Sequence, residues 1–273
     1  MKKRTLTFKL ILNKEPYQHI VMFSGGVGSW MAAKRVAEQY GTKNLTLLFA
    51  NTLIEDPDLY RFLEEAAINI GGQFVKLQEG RTPWQIFKDV KYLGNSRIDP
   101  CSKILKRELL RTYIEKEFSS KRVTIYLGYD WTEIHRLDKA QKYWSPWTVE
   151  APMCNPPYLE KGQMIQELTK EGIKPPLLYE LGFPHNNCGG GCIKAGQAHF
   201  AHLLKTLPEV YCQWEKNEQE IQRFLQKNVT ILRDRSKGTV TPLSLREFRE
   251  KVQKDCFDHE EWGGCGCFSE YEE

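Results

Sequence analysis

The sequence predicts an α/β protein, a parallel sheet flanked by helices and followed by a loop-rich and helical region that carries cysteines. Three observations predict it. Residues 19–39 read as a short apolar run, a glycine-rich turn and a segment of helical spacing. Apolar runs and helix-patterned segments then alternate as far as residue 128. Beyond Trp144 the texture changes to proline-rich loop up to about Cys192, and then to helices.

Each element has a local reason. Residues 5–12 alternate like an edge strand, with Asn13-Lys14-Glu15-Pro16 as a turn. Residues 19–23 are apolar enough for a buried strand, Ser24 to Gly28 form a tight turn, and residues 30–39 have helical spacing. Residues 45–50 are a continuous apolar run, as a strand covered on both faces requires. An amphipathic helix over 58–70, a strand over 73–77, a helix over 103–118 and a strand over 123–128 continue the alternation. Helices over 198–225 and a last strand over 229–232 close the chain. Residues 1–150 thus read as an α/β nucleotide-binding domain and 151–273 as a cysteine-bearing region packed on it.

Composition narrows the function classes. A 273-residue chain, 41% hydrophobic and 27% charged, is that of a globular protein with a substantial core. No apolar stretch approaches the ~20 residues of a membrane span, and the Met1-Lys2-Lys3-Arg4 start lacks an apolar signal core, so the expected place is the cytoplasm with no membrane partner. A net charge of +4, with basic residues in excess over 97–122, permits nucleic-acid contact without demanding it. A homodimer is allowed. Eight cysteines without a secretion signal point to metal or sulfur chemistry instead of a disulfide framework. Cys154 and Cys212 read as buried inert thiols and Cys256 as structural.

The glycine-rich turn is a ready anion site, because a helix N-terminus presents unpaired N–H groups and glycines let a phosphate come close. Ser24-Gly25-Gly26-Val27-Gly28-Ser29 has neither the Gly-Lys-Ser/Thr ending of a Walker loop nor a dinucleotide fingerprint. Ligands of parallel sheets sit beyond the strands' C-terminal ends, and segments 24–29, 51–55 and 129–136 all fall there. Asn187-Cys188-Gly189-Gly190-Gly191-Cys192 brings two thiols together on a loop with almost no side-chain bulk. Thiolates favour zinc or iron–sulfur centres. Cys101 begins a helix carrying Lys103, Lys106 and Arg107, cations that suit a phosphate or sulfate as well as a solvated face. Trp131, Tyr143, Trp144 and Trp147 read either as a stacking surface or as a small core, and His185 and His199 flank the cysteine loop.

These residues carry a family likeness. The loop at 24–29 resembles the Ser-Gly-Gly-x-Asp-Ser loop of the PP-loop ATP pyrophosphatase (adenine nucleotide alpha hydrolase-like) superfamily, in its phosphoadenosine phosphosulfate reductase-like branch. Leu48-Phe49-Ala50-Asn51-Thr52, with Glu55 and Tyr60, is similar to that family's Asp-Thr-Gly segment. Leu127-Gly128-Tyr129-Asp130-Trp131-Thr132-Glu133 with Arg136 resembles its Gly-Ile-Arg-x-x-Glu-Ser turn, and residues 175–183 resemble its Pro-Leu-Tyr-x-x-Gly-Tyr element. Gly28 and Asn51 stand where the family has aspartates, which leaves Asp130 or Glu133 as the carboxylates for Mg²⁺.

The resemblance implies a Rossmann-like, HUP-type sheet and an enzyme that adenylates its substrate with ATP, releases pyrophosphate and transfers sulfur through a [4Fe-4S] cluster. Ser24, Gly25, Gly26, Gly28 and Ser29 would hold the phosphates of ATP, or of an adenylyl sulfate, while Asn51, Thr52 and Gly128 shape the nucleoside pocket. Arg136, with Lys103 or Arg107, would stabilise the leaving group. Cys101, Cys188 and Cys192 would hold the cluster, with Cys265 as a fourth ligand and zinc as the alternative metal; Cys265 or Cys267 would otherwise be a mobile catalytic thiol. The acceptor is a small molecule or a base in nucleic acid. Two alternatives stay open: a reductase that releases sulfite from an adenylyl sulfate, and a nucleotide-binding module without turnover.

Overall fold

The computed structural model describes residues 17–95, 98–118, 122–235 and 238–263. The expected strand at 5–12 and the tail cysteines Cys265 and Cys267 lie outside the described residues.

The alternation begins with β1 (Gln18–Met22), α1 (Val27–Tyr40), β2 (Leu45–Asn51), α2 (Pro57–Ile70) and β3 (Gln73–Gln78). Next come α3 (Pro83–Asp89), α4 (Pro100–Ser102), a π-helical segment Lys103–Glu108 and α5 (Leu109–Glu117), the last three contiguous. β4 (Val123–Tyr126), a 3₁₀ helix Trp131–Arg136, α6 (Leu137–Trp144) and β5 (Thr148–Glu150) follow. The remainder holds α7 (Lys161–Lys170), α8 (Leu177–Glu180), α9 (Gln197–Thr206), α10 (Pro208–Leu225), β6 (Leu232–Asp234), β7 (Thr241–Leu243) and α11 (Leu245–Gln253).

The main sheet is parallel throughout, in the order β3-β2-β1-β4-β5. Successive strands therefore step one way from β1 and then resume on its other side with β4. Strand side chains alternate in direction, and the core divides accordingly. Val21, Phe23, Leu47 and Phe49 pack with α1, α2 and Met164 and Leu168 of α7. Ile20, Met22, Leu48 and Ala50 pack on the opposite face with Leu110, Ile114, Trp144 and Trp147. Two of the four aromatics proposed for stacking, Trp144 and Trp147, are thus core residues. β5 is too short for its alternation to be read in sequence, and only its pairing with β4 makes it a strand.

A third apolar cluster joins α9, α10 and α11 with Phe87 and Leu93, which precede the expected domain boundary. In the other direction Met153, Met164, Leu168 and Ile173 pack on the sheet. Apolar clusters therefore cross residue 150 both ways. The expected strand at 229–232 begins only at Leu232 and pairs antiparallel with β7, apart from the main sheet.

Helix ends follow local chemistry. α2 starts at Asp56, whose carboxylate accepts the Asp58 N–H, with Pro57 in the first turn. α3 starts with a reciprocal Thr82–Gln85 box. α1 differs: its N-terminus has no side-chain cap of its own.

Candidate functional site

A cleft of about 320 Å³ opens beyond the C-terminal ends of β1 and β4, where the strand order reverses. This is the position at which open parallel sheets hold ligands, since the two loops leave in opposite directions and part to form a crevice. The first loop contributes Ser24, Gly26, Gly28 and Ser29, and the second contributes Gly128 and Asp130.

The two loops cross at backbone contact. A Cβ added at Gly28 would lie 2.7 Å from the Gly128 carbonyl oxygen, and one at Gly128 would lie 2.6 Å from the Ser29 nitrogen. Neither position has room for a side chain. The glycine at 28 is therefore required by this crossing, and no carboxylate can stand there without moving the backbone. Ser29 turns its hydroxyl back to the Gly26 carbonyl at 2.7 Å, which fixes the first turn of α1.

Three cations reach the cleft: Lys106, Arg136 and Lys161. Arg136 pairs with Glu133 and stacks over the Tyr129 ring at 4.2 Å. Lys161 donates to the Pro184 carbonyl at 2.5 Å. Asp130 caps the 3₁₀ helix by accepting the Thr132 N–H at 2.8 Å, and with Glu133 it supplies the carboxylates of the cleft wall.

The basic helix differs from its expected geometry. An α-helix would carry positions 103, 106 and 107 on one face, but the π-helical segment Lys103–Glu108 widens the turn and redistributes them. Lys103 points to solvent, its side chain 56% exposed and near Glu108. Arg107 is buried and pairs with Asp99 at 3.0 Å. Lys106, of the three, lines the cleft, and it is 5% exposed. Of the three cations, the cleft wall therefore holds Lys106 and neither Lys103 nor Arg107, the two expected beside Arg136.

Asn51 and Thr52 are not in the cleft wall. The Asn51 side-chain oxygen Oδ1 accepts the Leu53 N–H at 3.1 Å and the Tyr60 hydroxyl at 2.8 Å. Thr52 donates to Glu55 at 2.8 Å, and the Glu55 carboxylate accepts the Cys188 N–H. The end of β2 therefore holds the cysteine loop. Leu53 takes φ +65°, in the region that favours glycine.

Cys188 and Gly189 both adopt left-handed backbone, and a Cβ at Gly189 would meet the Ile54 carbonyl at 2.7 Å. The Cys188 thiol hydrogen-bonds with Cys192, which pushes its pKa well up; burial and Glu55 act the same way, and Lys106 opposes them. Cys192 Sγ accepts the Lys194 N–H at 3.4 Å. Asp99, two residues before Cys101, binds both Arg107 and Lys194 Nζ, the latter at 2.5 Å. One buried carboxylate thus ties the Cys101 segment to the Cys192 segment. Cys101 and Cys192 both pack against the α9–α11 cluster.

Among the described residues no three His, Cys, Asp or Glu side chains gather as a metal site. What the structure offers there is a pair of thiols in contact, with Lys106 near Cys188, and buried Arg107 and Lys194 on the single buried carboxylate of Asp99. Gly263 bridges to Ala195, three residues past Cys192, so the described chain ends beside this loop. His185 lines the cleft, and His199 is buried against the Gly190 carbonyl at 2.7 Å. Cys154 is buried, as expected; Cys212 is exposed instead, because α10 turns Tyr211, Trp214 and Glu218 inward and leaves position 212 outside.

No family profile matches the sequence, and no curated protein is similar to it. Among solved structures, the chain is similar to a phosphoadenylyl-sulfate (PAPS) reductase from Candida auris in a phosphate complex. The TM-score is 0.44 at 16% identity, over 64% of this chain and 82% of that one. It is also similar to an NH3-dependent NAD synthetase from Campylobacter jejuni in complex with nitrate ion, with a TM-score of 0.41 at 14% identity, over 78% of this chain and 86% of the other. Likeness at this level carries neither substrate nor reaction over. Among the described residues no helix is long and apolar enough to cross a membrane.

Proposed function

We propose that the protein is an ATP-dependent enzyme of the PP-loop kind, which adenylates its substrate, releases pyrophosphate and uses its cysteines in a sulfur-transfer step. One observation carries the reading: the N-terminus of α1, Lys106 and Arg136 converge in a single cleft at the reversal of strand order. A triphosphate is the anion that suits three cations and a helix N-terminus together. A substrate oxygen would bond to the α-phosphorus as the bond to pyrophosphate breaks, and Lys106 and Arg136 would stabilise charge on the departing oxygens. Asp130 and Glu133 are the carboxylates at hand for Mg²⁺, which keeps most of its waters in such sites.

Cys101, Cys188 and Cys192 are the proposed holders of a [4Fe-4S] cluster with one iron left open for sulfur, and Cys265 as a fourth thiolate would close that iron. Such a cluster, when bound, supplies an iron that accepts and releases sulfur, whereas zinc would make the same thiols a structural clip. Anaerobic purification with iron, sulfide and zinc analysis of wild type and Cys188→Ser separates these.

Pyrophosphate release from ATP, assayed with RNA, DNA and small acceptors, tests the main reading. Arg136→Ala and Lys106→Ala are expected to lower kcat/KM by about 100-fold or more. ATP binding without pyrophosphate release from any acceptor would instead support a non-catalytic nucleotide-binding module. Reduction of an adenylyl sulfate to sulfite is the second reading, favoured by the Ala195–Gly263 bridge that brings the end of the described chain to the cysteine loop. It requires a dithiol reductant such as thioredoxin, and sulfite release must disappear in Cys265→Ser or Cys267→Ser.

A further inference from the structure

We propose that Tyr179 is a phosphate-contacting residue of the cleft: its hydroxyl, seated on the Val27 N–H, is placed to donate to a phosphate bound at the N-terminus of α1. The inference deepens the nucleotide reading above and rests on it. α1 lacks a cap from its own sequence neighbourhood. Instead the Val27 N–H donates to the Tyr179 hydroxyl oxygen at 3.3 Å, from a residue 152 positions away. This bond is long beside the ~2.9–3.0 Å common for N–H···O, so a charged oxygen displaces it readily.

The hydroxyl is delivered there by tertiary structure. The Tyr179 ring packs against the core formed by α1, α2 and the sheet. α8, which carries it, is fastened where the Leu177 N–H donates to the Asp58 carboxylate at 2.7 Å. Asn186, from the following loop, donates to the Gly25 carbonyl at 2.8 Å. Gly26 makes the space, since a Cβ there would sit 3.1 Å from the hydroxyl. The protein thus seats one of its own oxygens where a helix N-terminus draws anions, and Lys161 Nζ lies 5.7 Å from the centre of the same ring.

A tyrosine hydroxyl both accepts and donates and its proton rotates, whereas phosphate oxygens only accept. An anion that takes the Val27 N–H therefore arrives within reach of the Tyr179 O–H. A hydrogen bond from the hydroxyl to a charged phosphate oxygen is stronger than a neutral one.

Calorimetric titration of wild type and Tyr179→Phe with ATP, pyrophosphate and adenosine tests this. Phenylalanine keeps the packed ring, and matched thermal melts verify the fold. The expected result is about tenfold weaker binding of ATP and pyrophosphate with adenosine unchanged. Equal ATP and pyrophosphate affinities in the two proteins would overturn the role of Tyr179 and leave the nucleotide reading standing. A loss of equal size on adenosine would also overturn it, because a loosened fold, and no phosphate contact, then explains the change. Failure of wild type to bind either ATP or pyrophosphate would bring down both.

Discussion

The glycine loop and the cysteine loop meet near one cleft, yet they are built on opposite plans. The first is made of backbone: among the described residues no Asp, Glu, Lys or Arg is buried in β1, α1, β2 or α2, and the crossing of Gly28 with Gly128 excludes side chains. The second is held by charge, with Asp99, Arg107, Lys194 and, further out, Glu218 all buried. Close-packed backbone is insensitive to pH and salt, whereas a buried charge depends on its partner remaining in place. The difference teaches that the two halves of the site will fail in different ways.

The largest effect should come from the charged half. Asp99→Ala leaves Arg107 and Lys194 buried without their shared carboxylate, and a cost of about 3–5 kcal/mol in urea unfolding is expected. A loss below 1 kcal/mol would erase the distinction between the halves.

Next comes pH. Glu218 is fully buried and accepts the Ile231 N–H at 2.8 Å and the Leu245 N–H at 2.7 Å. Burial pushes its carboxyl up to about 7, with Glu215 and Glu247 adding to the rise and the two N–H groups opposing it. Between its ordinary value near 4.5 and 7, the folded chain holds a proton that the unfolded chain has lost. Stability therefore falls as pH rises through that window, by up to about 3 kcal/mol, and flattens above it. Glu218→Gln should remove this slope, measured as urea midpoints from pH 5 to 8.

In the backbone-built half, Gly28→Ala forces a methyl onto the Gly128 carbonyl. It should cost about 2 kcal/mol and weaken ATP binding, with no change in the pH dependence of unfolding. The smallest effect runs the other way. Leu53 is exposed at φ +65°, so Leu53→Gly should stabilise by about 1 kcal/mol, seen as a raised melting temperature.

Much of the first half was legible in sequence because its signals are local. The apolar runs at 19–23 and 45–50 are strands covered on both faces, and the glycine turn between β1 and α1 lines the cleft, as does Gly128. Arg136, singled out by the family likeness of a segment that follows a strand end, lines the cleft as well. Where local signals misled, a tertiary term had intervened. The π-helical turn sent Lys106 to the cleft, Lys103 to solvent and Arg107 to Asp99, and hydrogen bonding took Asn51 and Thr52 toward Tyr60 and the cysteine loop. α6 went unread just before the proline-rich text and α7 and β5 were hidden within it, because their apolar faces are short and answer only to the sheet they cover or extend.

The sequence by itself determined the alternation of strands and helices, the glycine loop and the pairing of Cys188 with Cys192, since each depends on residues a few positions apart. The tertiary structure alone decided which cations face the cleft, which carboxylate binds both Arg107 and Lys194, and which hydroxyl sits on the Val27 N–H. Those contacts join residues up to 152 positions apart, and a periodicity read along the chain holds no information about partners that only folding brings together.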